Sequence, residues 1–271
     1  MNRARPFLKW AGNKYRLLDR ILPRLPPGRR LIEPFAGAAA VGLNSPYPAL
    51  RLVDSNHDLI ELYRQIAEYG PEFVDACRAL FIPGNNHAET YYALRAEFNA
   101  STDPAERARL FVYLNRHGYN GLCRYNRGGG YNVPFGRYQR PYFPEAEMLA
   151  FWERARSGAL ELATNDFEVE FDDARPGDVI YADPPYVPLS ATASFTSYGP
   201  LRFALEEQTR LADAARRAAA RGVPVLISNH DTPFTRDHYH GARLESFDVA
   251  RSISRDIGNR RPAGELLALF T

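Results

Sequence analysis

The residues best suited to chemistry are Asp183-Pro184-Pro185-Tyr186. They follow Val179–Ala182, an apolar run of the kind that forms a central strand. Proline has no N–H to give to a sheet ladder, so the strand must end at Asp183. The proline carbonyls still accept hydrogen bonds. Such a corner presents a carboxylate, fixed carbonyl oxygens and an aromatic face close together. An exocyclic amino group on a flat base needs that set: two acceptors for its two N–H bonds and a ring to stack on. Taken alone, the tetrapeptide fits equally well a plain strand followed by a Pro-Pro turn.

Two earlier stretches narrow the choice. In Phe7-Leu8-Lys9-Trp10-Ala11-Gly12-Asn13-Lys14, Lys9 and Lys14 are the only lysines; the other 32 of the 34 basic residues are arginine. Either the clustering is chance, or both sites need a compact ammonium rather than a planar fork. Gly12-Asn13-Lys14 opens an expected helix, Tyr15 to Leu22, whose N-terminus could hold a carboxylate. In Arg30-Leu31-Ile32-Glu33-Pro34-Phe35-Ala36-Gly37-Ala38-Ala39-Ala40-Val41-Gly42-Leu43-Asn44, a short strand leads through a turn of small residues into an expected helix. Small residues let the backbone approach a ligand, although this is not the full glycine fingerprint of a dinucleotide site. Asp54 ends the next strand, 54 − 37 = 17 residues after Gly37. An acid at that place can hold a ribose diol, and can equally be a turn or cap residue.

The elements that must position these residues alternate as in an α/β protein. Besides the short strand opening 30–44, strands are expected at 51–54, 160–163, 179–182, 223–228 and 265–270, and helices over 59–69, 71–81, 89–99, 105–115 and 205–221. Gly222 stops the last helix. The block 116–144 has no regular pattern, and Gly128-Gly129-Gly130 suits a hairpin tip. Residues 187–199, rich in Ser and Thr, are long enough for a mobile lid. The 271 residues suffice for one large domain or two small ones; the 45% hydrophobic and 24% charged content is that of a soluble globular chain. No apolar run approaches the roughly 18 residues of a membrane span, no apolar leader follows Arg3 and Arg5, and two cysteines make neither a disulfide framework nor a zinc site. A cytoplasmic protein fits these features.

Net charge is +2 but unevenly placed. Residues 1–30 hold nine Lys/Arg against Asp19 alone. Arg116, Arg124, Arg127, Arg137 and Arg140 occupy an acid-free stretch threaded with Tyr119, Tyr125, Tyr131, Phe135 and Tyr138. That mixture suits a nucleic-acid surface better than an ordinary solvated face.

Taken together, FLKWAGNK at 7–14, EPFAG at 33–37, Asp54, YLNRHGYNGLCRYN at 113–126, NVPFGRY at 132–138, ADPPY at 182–186 and the following PLSATASFT resemble the Dam family of DNA adenine-N6 methyltransferases along nearly the whole chain. Two positions depart from the family: Asn13 stands where Gly is usual, and Gln139 where a basic residue is common. The resemblance implies an α/β fold, with a doubly wound, mostly parallel sheet of the class I methyltransferase type and one antiparallel strand. It also implies a catalytic domain made of 1–56 and 145–271, with an inserted, mainly helical DNA-recognition domain over 57–144. S-adenosylmethionine would be held by Trp10, Lys14, Phe35 and Asp54, with Asp166 and Phe167 flanking its adenine and Asp183 closing the site. Asp183 and the Pro184 carbonyl would accept from adenine N6, and Tyr186 would stack on the flipped ring. Arg95, Asn126 and Arg137 would hold phosphates. Tyr119 and Asn120 would enter the duplex, while Lys9, Leu122, Arg124, Pro134 and Tyr138 would face base edges, the usual target being GATC. The implied partner is double-stranded DNA, met by a monomer with no membrane association. No metal is needed, because a sulfonium is already a strong electrophile. RNA and protein-glutamine methyltransferases share the cofactor half but usually carry Asn where Asp183 stands. An oxidoreductase would need a fuller glycine fingerprint, and a non-catalytic DNA binder would not need Asp183 beside Trp10 and Asp54.

Overall fold

The computed structural model describes residues 3–187, 203, 205–249 and 263–271. Apart from Val187, the stretch 187–199 expected as a lid lies outside the described residues. A seven-stranded sheet in the order β3-β2-β1-β4-β5-β7-β6 organises the molecule. Its strands are β1 (Arg30–Glu33), β2 (Ala49–Val53), β3 (Ala159–Ala163), β4 (Asp178–Ala182), β5 (Val225–His230), β6 (Arg243–Val249) and β7 (Ala263–Phe270). The pairings β3-β2-β1-β4-β5 are parallel, and β7 runs antiparallel to β5 and β6.

The central parallel strands β1, β4 and β5 are largely buried because helices cover both faces, while the edge strand β3 is not. All five residues of β4 are buried. Its alternate side chains divide between two cores. Ile180 and Ala182 pack with Ile32, Val225 and Ile227 against α7 (Phe167–Asp173) and α8 (Leu205–Ala220). Val179 and Tyr181 pack with Leu31, Leu50 and Leu226 against α1 (Leu18–Ile21) on the opposite face. The run 179–182 reads as uniformly apolar for this reason.

Between β2 and β3 come α2 (His57–Tyr69), α3 (Pro71–Arg78), α4 (Ala88–Ala100), α5 (Pro104–His117) and α6 (Glu145–Ser157). Asn56 caps α2 and Asp103 caps α5, each side chain accepting a backbone N–H of the first turn. One apolar cluster joins these helices to Phe7, Leu8, Ala36, Ala39 and Leu52, so packing runs unbroken from the sheet edge into the helical block. From 118 to 138 the chain forms a ribbon with two isolated antiparallel pairings, Gly118 with Phe135 and Tyr125 with Tyr131.

Two expected helices change form. Tyr15–Leu22 divides into a 3-10 turn (Tyr15–Leu17), the single turn α1 and a second 3-10 turn (Leu22–Arg24). With so few aligned peptides it offers no helix N-terminus to a carboxylate. After Gly37, the left-handed Ala39 (φ +53) interrupts the chain, and only the 3-10 turn Gly42–Asn44 forms.

Candidate active site

Parallel strands deliver their C-terminal ends to one edge, where ligands of such sheets bind. The ends of β1, β2 and β4 open there onto a cleft of about 750 Å³. It is lined by Trp10, Lys14, Phe35, Asp54, Asp166, Phe167, Asp183, Pro184 and Tyr186, which places every residue expected at the cofactor and the target base in one cavity.

Phe35 follows β1 and stacks on Phe167, the first residue of α7, with centroids 5.3 Å apart and planes 30° apart. Phe203 meets both rings. Asp166 caps α7 through the Glu168 N–H and pairs with Arg210 at the rim. Gly37 turns with φ +45, and a Cβ there would lie 2.8 Å from Trp10 Nε1, so only glycine permits this closeness. Its N–H donates to Asp54 Oδ2 at 3.0 Å, while Asn56 N–H donates to Oδ1 at 2.9 Å. Asp54 is thus both the turn residue and the cleft carboxylate that the sequence left as alternatives. Burial raises its pKa, and those backbone donors work against the rise.

Asp183 sits where β4 ends. Lys14 Nζ pairs with its Oδ1 at 2.7 Å and donates to Oδ2 at 2.8 Å and to Gly12 O at 2.7 Å. Ser228, on β5, donates to Oδ1 at 3.0 Å and meets the Tyr181 hydroxyl at 2.9 Å. The ammonium also lies 4.5 Å from the centroid of Tyr186. The Tyr186 hydroxyl donates to Glu265 on β7, and His230 meets its ring edge-on at 4.6 Å. The phenol is therefore pinned at both ends, and burial pushes its pKa far up. Gln208 fixes the corner from α8 by donating to Pro185 O at 2.8 Å.

The sequence reading missed three groups here. Glu33, at the end of β1, is 3% exposed, lines the cleft, and has no protein partner for Oε1. Burial pushes its pKa up to about 8. Ser228 and Glu265 support Asp183 and Tyr186 from the neighbouring strands. An acid closing the apolar strand in Ile32-Glu33-Pro34, and another opening Leu266-Leu267, were the available signals.

The residues expected to face DNA lie apart from the cleft, on the ribbon and its supports. Lys9 stands 3.7 Å from the centroid of Tyr138, whose hydroxyl accepts the Asn120 N–H at 2.9 Å. Tyr119 is exposed and its N–H bonds Pro134 O. Asn120 and Arg137 both hold left-handed backbone (φ +52 and +54). A residue type such as Asn accepts this readily, and Arg does so rarely. Arg95 donates to Val133 O at 3.0 Å, and Asn126 Oδ1 accepts from Gly128 and Gly130, which closes the triglycine tip. Leu122 is half-buried against the helical core. The turn is Tyr119–Gly121, and Arg124 follows it on the ribbon stem rather than at a tip. Asn132 holds the Arg124 fork by Oδ1 to Nε at 2.7 Å and by its carbonyl to Nη2 at 3.0 Å.

Comparison with known proteins gives the family. Residues 10–253 match the D12 class N6 adenine-specific DNA methyltransferases. The DNA adenine methylase of Escherichia coli K12 is 52% identical over 271 residues, covering 100% of this chain and 96% of that protein. Those of Serratia marcescens and Vibrio cholerae are 49% and 47% identical, with 100% of this chain and 100% and 98% of theirs covered. Among solved structures, TrmN from Thermus thermophilus is a remote match, 13% identical with a TM-score of 0.41 over 95% of this chain and 48% of that one. The chain belongs to the D12 class of N6 adenine-specific DNA methyltransferases.

Proposed function

We propose that this enzyme transfers the methyl group of S-adenosylmethionine to N6 of an adenine flipped out of a GATC duplex, with 57–144 as the DNA-recognition insert. One observation carries the reading: the Asp183–Tyr186 corner opens into the same cleft as the Phe35–Phe167 stack and Asp54. The cleft fits the cofactor. Paired rings suit its adenine, Asp54 suits a ribose diol, and the buried Glu33, whose Oε1 lacks a hydrogen-bond partner, lines the same cavity.

The cofactor supplies a methyl group on a sulfonium, already electrophilic. What remains for the protein is the nucleophile, since adenine N6 is weak while its lone pair conjugates with the ring. Asp183 and the Pro184 carbonyl accept its two N–H bonds and favour a pyramidal, partly positive nitrogen in line with the methyl group. Tyr186, held by Glu265 and His230, supplies the stacking face. Extruding the base costs roughly a few kcal/mol, which this stacking and these hydrogen bonds offset. In the free protein Lys14 and Ser228 both bond Asp183 Oδ1, while Oδ2 accepts from Lys14 alone and so keeps a lone pair for N6–H. No metal is called for, and the described residues hold no cluster of three or more His, Cys, Asp or Glu that could bind one. Nor is any described helix long and apolar enough to cross a membrane.

The test uses tritium-labelled S-adenosylmethionine with a GATC duplex, one-base variants of it, and tRNA. Label recovered as N6-methyladenine from the GATC duplex alone is the expected result. Label on tRNA, or equal label on all duplexes, refutes the substrate or the site assignment respectively.

A further inference from the structure

The turn after β2 serves two masters. Asp54 faces the cleft and fixes the N–H of Asn56. The Asn56 side chain points away from the cleft. Its Oδ1 caps α2 through Leu59 N–H at 3.2 Å, and its Nδ2 lies 3.3 Å from the Sγ of Cys123. One step further, Asp58 accepts the Tyr125 hydroxyl at 2.6 Å and the Arg107 fork at 2.8 and 3.0 Å. Cys123 and Tyr125 flank Arg124 and follow Leu122. The chain neighbours of two residues expected to face base edges are therefore anchored, across more than sixty positions of sequence, to the turn that presents the cleft carboxylate and to the first turn of α2.

We propose that Asn56 and Asp58 are positioning residues that couple cofactor binding in the cleft to the presentation of Leu122 and Arg124 to DNA. This rests on reading the cleft as the cofactor site and the ribbon as the DNA face. The two anchors differ in stiffness. Asp58 is 8% exposed and clamped by Arg107 between α2 and α5, so Tyr125 is the fixed end. A thiol is a weak acceptor, so the Asn56–Cys123 contact is the yielding end. A diol engaging Asp54 changes what that carboxylate offers to Asn56 N–H, and the Asn56 amide carries the adjustment to Cys123. Coupling of this sort is reciprocal: the duplex tightens the cofactor by the factor with which the cofactor tightens the duplex. A chain of contacts alone does not establish coupling, so the coupling itself is what must be measured.

The experiment titrates S-adenosylhomocysteine, the unreactive demethylated cofactor, into the full chain by calorimetry with and without a saturating GATC duplex. The ratio of the two dissociation constants is the coupling factor, expected on the order of tenfold in the wild type. Cys123→Ala and Tyr125→Phe, singly and together, remove the two anchors without touching the cleft. Tyr125→Phe keeps the ring that meets Tyr131 edge-on, so packing survives. The double variant is expected to bind S-adenosylhomocysteine without DNA within about twofold of wild type, with its ratio falling toward one. A wild-type ratio of one overturns the inference, as does a wild-type ratio preserved in both single variants and in the double variant. A wild type that binds neither S-adenosylhomocysteine nor duplex instead refutes the underlying assignment of the two sites, so the two failures are distinct.

Discussion

At the cleft, Asp183 is carried by a strand buried at every residue and paired on both sides, to β1 and to β5. Across 118–138, two isolated pairings do the same work, and side chains supply the rest. Tyr91 and Arg95 donate to Val133 O, Asn99 to Tyr131 O, and Tyr131 to Leu122 O. The first region holds its groups by backbone ladders, the second by side chains reaching in from α4 and from the ribbon itself. A substitution at the cleft should therefore alter chemistry or cofactor binding first, and reach site choice only through the Asn56 and Asp58 contacts. A substitution on the ribbon should alter which duplex is chosen where the side chain faces a base edge, and weaken all duplexes alike where it faces a phosphate.

The largest effect expected is at Asp183. Asp183→Asn keeps the shape but loses the anionic acceptor, and a loss of roughly a hundredfold or more in turnover is expected, as for other preorganised transition-state contacts. The structure adds a consequence for Asp183→Ala. Lys14 is 5% exposed, so removing its partner leaves a buried cation, and the melting temperature should fall by about 5 °C or more. Single-turnover kinetics beside thermal melting would check both. Turnover above about a tenth of wild type in Asp183→Asn contradicts the assigned role.

Asp54→Ala should come next. Loss of a contact to the ribose weakens S-adenosylmethionine by roughly 1–3 kcal/mol, while duplex affinity measured without cofactor stays within about twofold. Calorimetry showing unchanged cofactor affinity would mean that Asp54 acts only on Gly37 and Asn56.

The contrast between ladder and side-chain support also explains what the sequence made legible. The strand-and-corner at 178–186, the small-residue turn and the helices α2 and α5 are local patterns, and these elements form where they were expected. The pairings that complete the site are not local: Lys14 with Asp183, Tyr186 with Glu265, Asn56 with Cys123. No periodicity reveals which distant partner a buried acid meets. The sequence reading placed no element over α6, α7, β6 or α9 (Pro233–His238). In β6 every residue is exposed or half-buried at a sheet edge, so no apolar run marks it. The absent helix after Gly37 shows the opposite failure: a run of alanines favours helix, but Ala39 takes the left-handed region and the helix does not form.

Ribbon arginines should separate into two kinds. Arg124→Ala is expected to shrink the rate ratio between GATC and sites altered at the guanine it faces, by roughly 1–3 kcal/mol of discrimination. Because Asn132 grips two of its nitrogens, Asn132→Ala should reproduce part of that loss with Arg124 intact. Arg137→Ala should weaken all duplexes alike and make the log–log salt slope shallower by about 1, the signature of a lost phosphate contact. A panel of one-base variants at two salt concentrations checks all three. Proportional loss on every duplex in Arg124→Ala would make it a phosphate clamp.

The smallest effect expected falls where the two regions meet. Lys9 is held from α5, with Asn115 accepting its N–H at 2.9 Å and donating to its carbonyl at 2.8 Å, while Nζ reaches Arg116 O at 3.3 Å beneath the Tyr138 ring. Burial, then the charge of Arg116, lowers its pKa to about 8. The sign follows: the ammonium is present below pH 8 and lost above it. If it faces the outer guanine, kcat/KM on GATC should fall a few-fold on an alkaline limb with apparent pKa near 8, since kcat/KM reports the free enzyme. Lys9→Ala should lack that limb, and so should wild type acting on a duplex altered at the outer guanine. A group titrating in the cleft cannot mimic this pairing of results, because its limb would persist in Lys9→Ala and on every duplex. A limb that survives both changes would return Lys9 to a purely structural place between α5 and Tyr138.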